Sequence, residues 1–200
     1  MRSVDVPQEW VLQARAGDRD AFSQLVEAYQ VPVYNLCRRM LGNPGEAEDA
    51  AQEAFWRAFQ AIERYDPQRP FATWLLSIAA HHCIDHLRRQ RLVTLSLEAM
   101  PDYRDTPDPQ PGPESSAEMH ERERRVAHML QKLEPIDRAA IVMRYWYDLS
   151  YEEMSDALSL SVSAVKSRLH RARRQLAEVW PAAHAEGIAR GGTHDAAPAV

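Results

Sequence analysis

The chain has few of the residues that build sheets, cross-links and membrane spans. Its 200 residues include only 7 glycines and 2 cysteines, and runs of β-branched residues are sparse. This composition favours helices over strands. No stretch of about 18 apolar residues occurs, so we expect no membrane insertion. The N-terminus, MRSVDVPQEW, lacks an apolar secretory segment, which predicts a cytoplasmic protein.

Motifs for catalysis are also missing. The sequence contains no nucleophile elbow, phosphate-binding loop, dinucleotide fingerprint or supported carboxylate pair, so we do not expect an enzyme. Cys37 and Cys83 are far apart in helical patterns, which favours buried reduced thiols over a disulfide. His82, Cys83 and His86 could share a metal, but they lack further ligands at metal-site spacing. We therefore expect no metal and no cofactor, and a metal enzyme stays a minor alternative.

Negative charge is concentrated in one segment. Residues 93–118 carry one basic and six acidic side chains, so the net charge of this segment alone is −5. The net charge of the whole chain has the same value. Residues 161–176 carry five cations and no acid. Because the local field governs binding to phosphate, the net charge does not argue against a nucleic-acid partner.

Proline divides the chain into two parts. Residues 101–113, PDYRDTPDPQPGP, contain five prolines, a density that neither a helix nor a central strand tolerates. We predict an all-α fold with two small helical domains, at 8–92 and 119–180. A flexible, acidic, proline-rich linker at 93–118 joins them, and a flexible tail follows at 181–200.

The first domain reads as four helices. They are predicted at about 8–16, 19–41, 44–64 and 71–90, with a kink at Pro32 in the second. The third begins with Asn43-Pro44-Gly45-Glu46, a capping residue followed by proline at the first helical position. Its apolar face is predicted to contain Ala50, Phe55, Ala58, Phe59 and Ile62, and an acidic and aromatic patch lies opposite.

The second domain contains a predicted helix-turn-helix at residues 148–176. Ser150 and Glu153 form a capping box that starts a helix at Tyr151, and Ser159-Leu160-Ser161 makes the turn. In the second helix Val165, Leu169, Ala172 and Leu176 share one face. The remaining faces carry polar and cationic residues that suit the major groove of DNA: Ser163, Lys166, Ser167, His170, Arg171 and Arg174.

Two surfaces of the first domain stay ambiguous from the residues alone. Asp49, Gln52, Glu53 and Trp56 face outward on the third helix, where they could dock a basic partner or simply be solvated. The loop from Tyr65 to Pro70 places Arg69 beside Phe71 and Trp74, and such groupings can stack on unpaired bases. The alternative is that these rings belong to the core.

The chain resembles the extracytoplasmic-function (group 4) sigma factors of bacterial RNA polymerase. Three ordered stretches carry the resemblance: AFSQLVEAYQVPVYNLCRRMLGNPGEAEDAAQEAFWRAF, RPFATWLLSIAAHHCIDHLRR and LEPIDRAAIVMRYWYDLSYEEMSDALSLSVSAVKSRLHRARRQL. It covers roughly 8–92 and 119–180. It implies two helical domains, called regions 2 and 4, without catalytic activity. The chain departs from many relatives at His81-His82-Cys83.

The resemblance also implies roles for individual residues. Asp49, Gln52, Glu53 and Trp56 look like the surface that binds the polymerase clamp helices. Region 2 would capture and hold the melted −10 element through Tyr65, Arg69, Phe71, Trp74, His82, His86, Arg88 and Arg89. Region 4 would read the −35 element through Ser163, Lys166, Ser167, His170 and Arg171, while Arg168, Arg173 and Arg174 hold phosphates.

The partners implied are core RNA polymerase, promoter DNA and a cognate anti-sigma factor. The free chain is expected to be a monomer. Promoter DNA would be bound as duplex at −35 and as a single strand at −10. A different class of function remains open, namely a helix-turn-helix regulator that binds duplex DNA without joining polymerase. It predicts tight binding by the isolated protein and no role for Asp49 or Glu53.

Overall fold

The computed structural model describes residues 6–96 and 124–191, with side chains for 6–92 and 124–178. These residues form helices and turns without a strand, which confirms the all-α class. The helices are α1 (Gln8–Arg15), α2 (Arg19–Leu41), α3 (Pro44–Ala61), α4 (Phe71–Ser96), α5 (124–131), α6 (Pro135–Trp146), α7 (Tyr151–Leu158) and α8 (Val162–Gly191). A 3-10 turn, Ile62–Arg64, follows α3.

Side-chain caps and glycine set the ends of α2 and α3. The Asp18 carboxylate accepts from the amides of Asp20 and Ala21 and caps α2. Gly42, with φ of +85°, ends α2, and the Asn43 side chain then accepts from the Glu46 amide at 3.1 Å. Pro32 lies inside α2 without ending the helix. The predicted bounds of α2 and the predicted start of α3 are therefore confirmed.

Small residues bring α3 close to its neighbours. Its buried positions are all alanine: Ala47, Ala50, Ala51, Ala54 and Ala58. The prediction that Phe59 faces the core is wrong, because this side chain is exposed and meets Phe22 in an edge-to-face contact, with ring centroids 5.1 Å apart. A face of alanines leaves no room for a large ring between closely packed helices.

The two halves of the chain share one hydrophobic core. Helices α6 and α7 pack on α4, and α6 also packs on α2. Arg138, buried in α6, donates to the carbonyl of Met40 and to the side chain of Gln131. The Tyr147 hydroxyl donates to the Pro32 carbonyl at 2.5 Å. Two backbone carbonyls of α2, those of Met40 and Pro32, thus accept from side chains of the second half.

Two helices run past their predicted ends. Helix α4 continues to Ser96 rather than 90, and α8 continues to Gly191, past the boundary at 180. Strong helix formers, including several alanines after Pro181, explain the longer α8. The predicted linker 93–118 overlaps α4 at its start. The rest of the linker and residues 192–200 lie outside the described residues. Within the described part of the chain, no helix is long and apolar enough to cross a membrane.

Candidate nucleic-acid interface

The helix-turn-helix forms as predicted, with a cap on each helix. The Ser150 hydroxyl accepts from the Glu153 amide at 3.1 Å, and the Glu153 carboxylate accepts from the Ser150 amide at 2.8 Å. Ser159 makes the turn in the left-handed region, with φ of +54°. The Ser161 hydroxyl then accepts from the Ala164 amide at 3.2 Å. These bonds fix the angle at which α8 leaves α7.

Helix α8 is divided into two faces. Val165, Leu169 and Ala172 are buried against α6 and α7, and Leu176 is half-buried. The other side is open to solvent. It carries seven of the eight predicted −35 residues as exposed side chains, with Arg168 half-buried: Ser163, Lys166, Ser167, Arg168, His170, Arg171, Arg173 and Arg174. An exposed helix face with donors and cations has the form that enters a major groove.

A buried acid of α6 binds two of these cations. Asp137 is 1% exposed, and its carboxylate accepts from Arg171 Nε at 2.8 Å and from Arg171 Nη2 at 3.1 Å. It also accepts from Arg168 Nη1 at 2.8 Å. The hydrogen bond to Asp137 raises the pKa of Arg171, which stays charged. Asp137 lies 31 residues before Arg168, so the charge pattern within 161–176 does not reveal this acid.

The other cations of α8 have weaker or local partners. Lys166 Nζ lies 5.4 Å from the centre of the Tyr151 ring, a cation–π contact. Arg173 donates to the Leu169 carbonyl at 3.1 Å, and Arg174 lies 3.2 Å from the Glu178 carboxylate. Because the Arg174 pair is exposed, solvent screens it and it can exchange for a phosphate at little cost.

Four of the predicted −10 residues, Tyr65, Arg69, Phe71 and Trp74, form or adjoin an aromatic cluster at the start of α4. The rings of Tyr65, Phe71 and Trp74 lie 5.0–5.5 Å apart, centre to centre. Tyr65 and Phe71 are 3% and 7% exposed, and Trp74 is half-buried. The Tyr65 hydroxyl donates to the Arg69 carbonyl, which ties the loop to the cluster. Tyr65 and Phe71 therefore belong to the core, as the alternative interpretation expected, and they support the exposed loop; stacking on unpaired bases stays a prediction.

The same loop faces the first helix of the helix-turn-helix. Arg69 Nη1 lies 3.8 Å from the Asp156 carboxylate of α7. Thr73, buried in α4, donates to Glu153 of α7 at 3.5 Å. Helix α7 therefore packs against the loop that carries Arg69.

The rest of α4 presents cations and a half-buried histidine. Arg88 and Arg89 are exposed, and His86 Nε2 lies 3.6 Å from the Glu46 carboxylate. Burial lowers the pKa of His82, and the Arg57 charge lowers it further. His82 Nδ1 is buried without a hydrogen-bond partner.

Cys37 and Cys83 lie next to each other in the core. Cys37 and Cys83 are free and buried, as predicted. The pKa of Cys83 is raised mainly by a hydrogen bond with Cys37 and secondly by burial. Among the described residues no three histidine, cysteine or acidic side chains are grouped as a metal would require.

Helix α3 presents the acidic and aromatic patch. Asp49 and Gln52 are exposed, and Trp56 is 56% exposed. Glu53 pairs with Arg57 at 2.7 Å, and this hydrogen bond lowers the pKa of Glu53. Phe59, missed as a surface residue, stacks near Trp56 with ring centres 6.2 Å apart. A large exposed aromatic pair flanked by carboxylates is typical of a protein-binding surface.

Family comparisons match both halves of the chain. The Sigma-70 region 2 family matches residues 25–93, and the Sigma-70 region 4 family matches residues 123–176. The ECF RNA polymerase sigma factor SigW of Bacillus subtilis is 36% identical over 172 residues, which cover 83% of this chain and 92% of SigW. The RNA polymerase sigma factor CnrH of Cupriavidus metallidurans is 31% identical over 187 residues, covering 91% of this chain and 98% of CnrH.

A solved structure agrees with the fold. CnrH in complex with the cytosolic domain of CnrY superposes with a TM-score of 0.65 at 29% identity, over 89% of this chain and 99% of that one. Both matched regions occupy the helices that carry the candidate surfaces. The chain therefore belongs to the extracytoplasmic-function sigma factors, the non-enzymatic subunits that bring bacterial RNA polymerase to promoters.

Proposed function

We propose that this sigma factor reads the −35 promoter element with the exposed face of α8. The observation that carries the proposal is the division of α8 into a buried apolar face and an open face with hydroxyls, an imidazole and cations. Ser163, Lys166, Ser167, His170 and Arg171 would contact base edges in the major groove. Phosphates would be held by Arg168, Arg173 and Arg174, which lie along or beside that face.

The −10 element belongs to region 2 in this proposal. The loop that Tyr65 ties down would receive the flipped base, with Arg69 at its exposed tip. Trp74 is half-buried, so part of its side chain would be accessible for stacking on a base. The rings of Tyr65 and Phe71 pack against it and would hold it in place. Arg88 and Arg89, together with His82 and His86, would line the path of the strand along α4.

Core polymerase would bind to α3. Asp49, Gln52, Glu53 and Trp56 form a continuous acidic and aromatic surface, and a carboxylate surface suits a basic partner helix. Exposure of Trp56 gives this surface a large apolar anchor, which is the type of residue that dominates binding energy at interfaces.

Asp49→Arg tests this surface directly. We expect affinity for core polymerase to fall at least tenfold, because a new cation would face a basic partner. Glu27→Arg, the same change at an exposed position of α2, is the control and should bind normally. Circular dichroism would check that both variants keep their helices. Unchanged assembly of the Asp49 variant would remove α3 from the interface.

An anti-sigma protein is the proposed regulator. The related CnrH was solved with the cytosolic domain of CnrY. In this chain α7 packs against the Arg69 loop, so one partner bound there would contact both regions. The chain would then work in the cytoplasm, beside the polymerase.

The decisive experiment is size-exclusion chromatography with bacterial core polymerase, followed by run-off transcription from a genomic fragment library. Co-elution with specific new start sites supports the proposal and yields the promoter sequence. The rival function is a regulator that binds duplex DNA alone. It would be favoured by tight DNA binding of the folded, inhibitor-free chain that does not co-elute with polymerase.

A further inference from the structure

Asp137 lies in the first turn of α6, on the core side of the helix-turn-helix. Its carboxylate is 1% exposed, yet it points toward the recognition helix rather than into the apolar core. A buried ionised carboxylate is costly unless it is paired. The positive end of the α6 dipole and two guanidinium groups supply that compensation.

The geometry of the Arg171 pair leaves one edge of the guanidinium free. Asp137 takes the Nε–H and one Nη2–H, which form the side edge of the guanidinium. One Nη1 hydrogen and the second Nη2 hydrogen point outward as a parallel pair and form the outer edge. That outer edge is on a side chain that is 61% exposed.

The free edge matches one base in the major groove. Guanine offers two adjacent acceptors there, O6 and N7, and arginine is the residue that binds both at once. A freely rotating arginine would lose side-chain entropy on binding, whereas a guanidinium already held by a fixed carboxylate loses less. The fixed edge also disfavours adenine, which presents a donor at the position of O6.

We propose that Asp137 is a positioning residue that fixes Arg171 for recognition of a guanine in the −35 element. This inference rests on the proposed function of α8. Arg168 adds a third hydrogen bond to the same carboxylate, since its Nη1 donates to Oδ1, the oxygen that also accepts from Arg171 Nη2. Asp137 itself does not touch DNA.

The test uses holoenzyme reconstituted from the full-length chain and bacterial core polymerase. The probe is a pool of promoter duplexes with a randomised upstream element, and sequenced transcripts give the base preference at each position. Asp137→Asn keeps the shape and removes the charge. We expect about a tenfold loss of guanine preference at one base pair, within the range of a lost bidentate contact, with the other positions unchanged.

Two further variants make the result specific. Arg171→Ala should lose guanine preference at the same base pair, and adding Asp137→Asn to it should cause no further change, because both act through one guanidinium. Asp148→Asn is the matched control, since it makes the same change in an exposed ion pair with Arg144 outside α8. It should keep the wild-type preferences.

The remaining outcomes separate the two proposals. If Arg171→Ala loses the guanine preference and Asp137→Asn keeps it, the positioning role is wrong while reading by α8 stands. If neither variant changes any preference, the proposed role of Arg171 fails with it. An equal loss at every position, together with a lower unfolding temperature, would reduce Asp137 to a structural ion pair and overturn the inference.

Discussion

Single residues in this chain work through partners that are distant in sequence. Arg138 joins the carbonyl end of α2 to the second half, and burial lowers its pKa to about 10, so it still carries its charge near neutral pH. Asp137 of α6 accepts from Arg171 of α8, and the Tyr147 hydroxyl donates to the Pro32 carbonyl of α2. None of these pairings follows from helical periodicity, which predicts which face a residue occupies but not which residue from another helix it meets.

His82 should make stability depend on pH. Its pKa lies below the unfolded value of about 6.5 because of burial and the charges of Arg57, His86 and Arg89, which Glu53 offsets only in part. The unfolded chain therefore binds the proton first, and stability that is complete above about pH 6.5 is lost as the pH falls below it.

The measurement is the unfolding temperature of wild type and His82→Gln between pH 7.5 and 5.5. We expect the variant to show a shallower fall, since glutamine does not titrate. His81→Gln, at the exposed neighbouring position, should follow the wild-type curve. Parallel curves for wild type and His82→Gln would show that this imidazole does not contribute.

At the scale of helices, sequence patterns predicted most of what forms. The caps at Asn43, Ser150 and Ser161 are local, since donor and acceptor are three residues apart, and each forms as expected. The buried face of α8 was also predicted correctly. The face of α3 was predicted less well, because aromatic residues were assigned to the core by hydrophobicity alone. Close helix packing selected alanines instead, and Phe59 moved to the surface.

Gly42 ends α2 in a way that a side chain would disturb. Alanine there would sit at a positive φ, which costs about 1 kcal/mol. A Cβ would also lie 2.8 Å from the Gln131 amide nitrogen. Gln131 accepts from Arg138 at 2.5 Å, so moving it would break a second contact. We expect Gly42→Ala to destabilise the fold by more than the conformational cost.

Gly17→Ala is the matched comparison. Gly17 has φ of +98° and no atom within 4 Å of an added Cβ, so this variant carries the conformational cost alone. Urea unfolding of both variants separates the two contributions. Equal losses of stability in Gly42→Ala and Gly17→Ala would mean that the Gln131 side chain of α5 moves aside without an energetic cost.

At the scale of the whole molecule, the two regions form one packed body. The Arg69 loop contacts α7, and Arg91 of α4 pairs at 2.8 Å with Glu134, the residue just before α6. The sequence predicted both regions but not their contact, because the interface combines scattered positions from α2, α4, α6 and α7. Because α7 covers part of the Arg69 loop in this structure, we expect the two regions to move apart when promoter DNA is bound.

Reversing the charge of one partner in each of the two exposed ion pairs, Arg69–Asp156 and Arg91–Glu134, should promote that separation. The double variant Glu134→Arg with Asp156→Arg places cations against Arg91 and Arg69. We expect a larger radius of gyration by small-angle scattering at low ionic strength. The increase should shrink in high salt, since these groups are exposed and screened.

The compensating quadruple variant adds Arg69→Glu and Arg91→Glu, which restores opposite charges at both contacts. Its radius should return to the wild-type value. An unchanged radius of gyration in the double variant would mean that the contacts of Arg138 and Tyr147 hold the regions together without the two exposed ion pairs.

The paired thiols of Cys37 and Cys83 have a practical consequence. They are the chain's two cysteines, both are buried, and the raised pKa of Cys83 keeps its sulfur in the unreactive protonated form. A cysteine introduced on the surface of each region would therefore take a maleimide dye while the native pair stays unlabelled. The distance between the two regions could then be followed by fluorescence during promoter opening, in a protein whose core has not been altered.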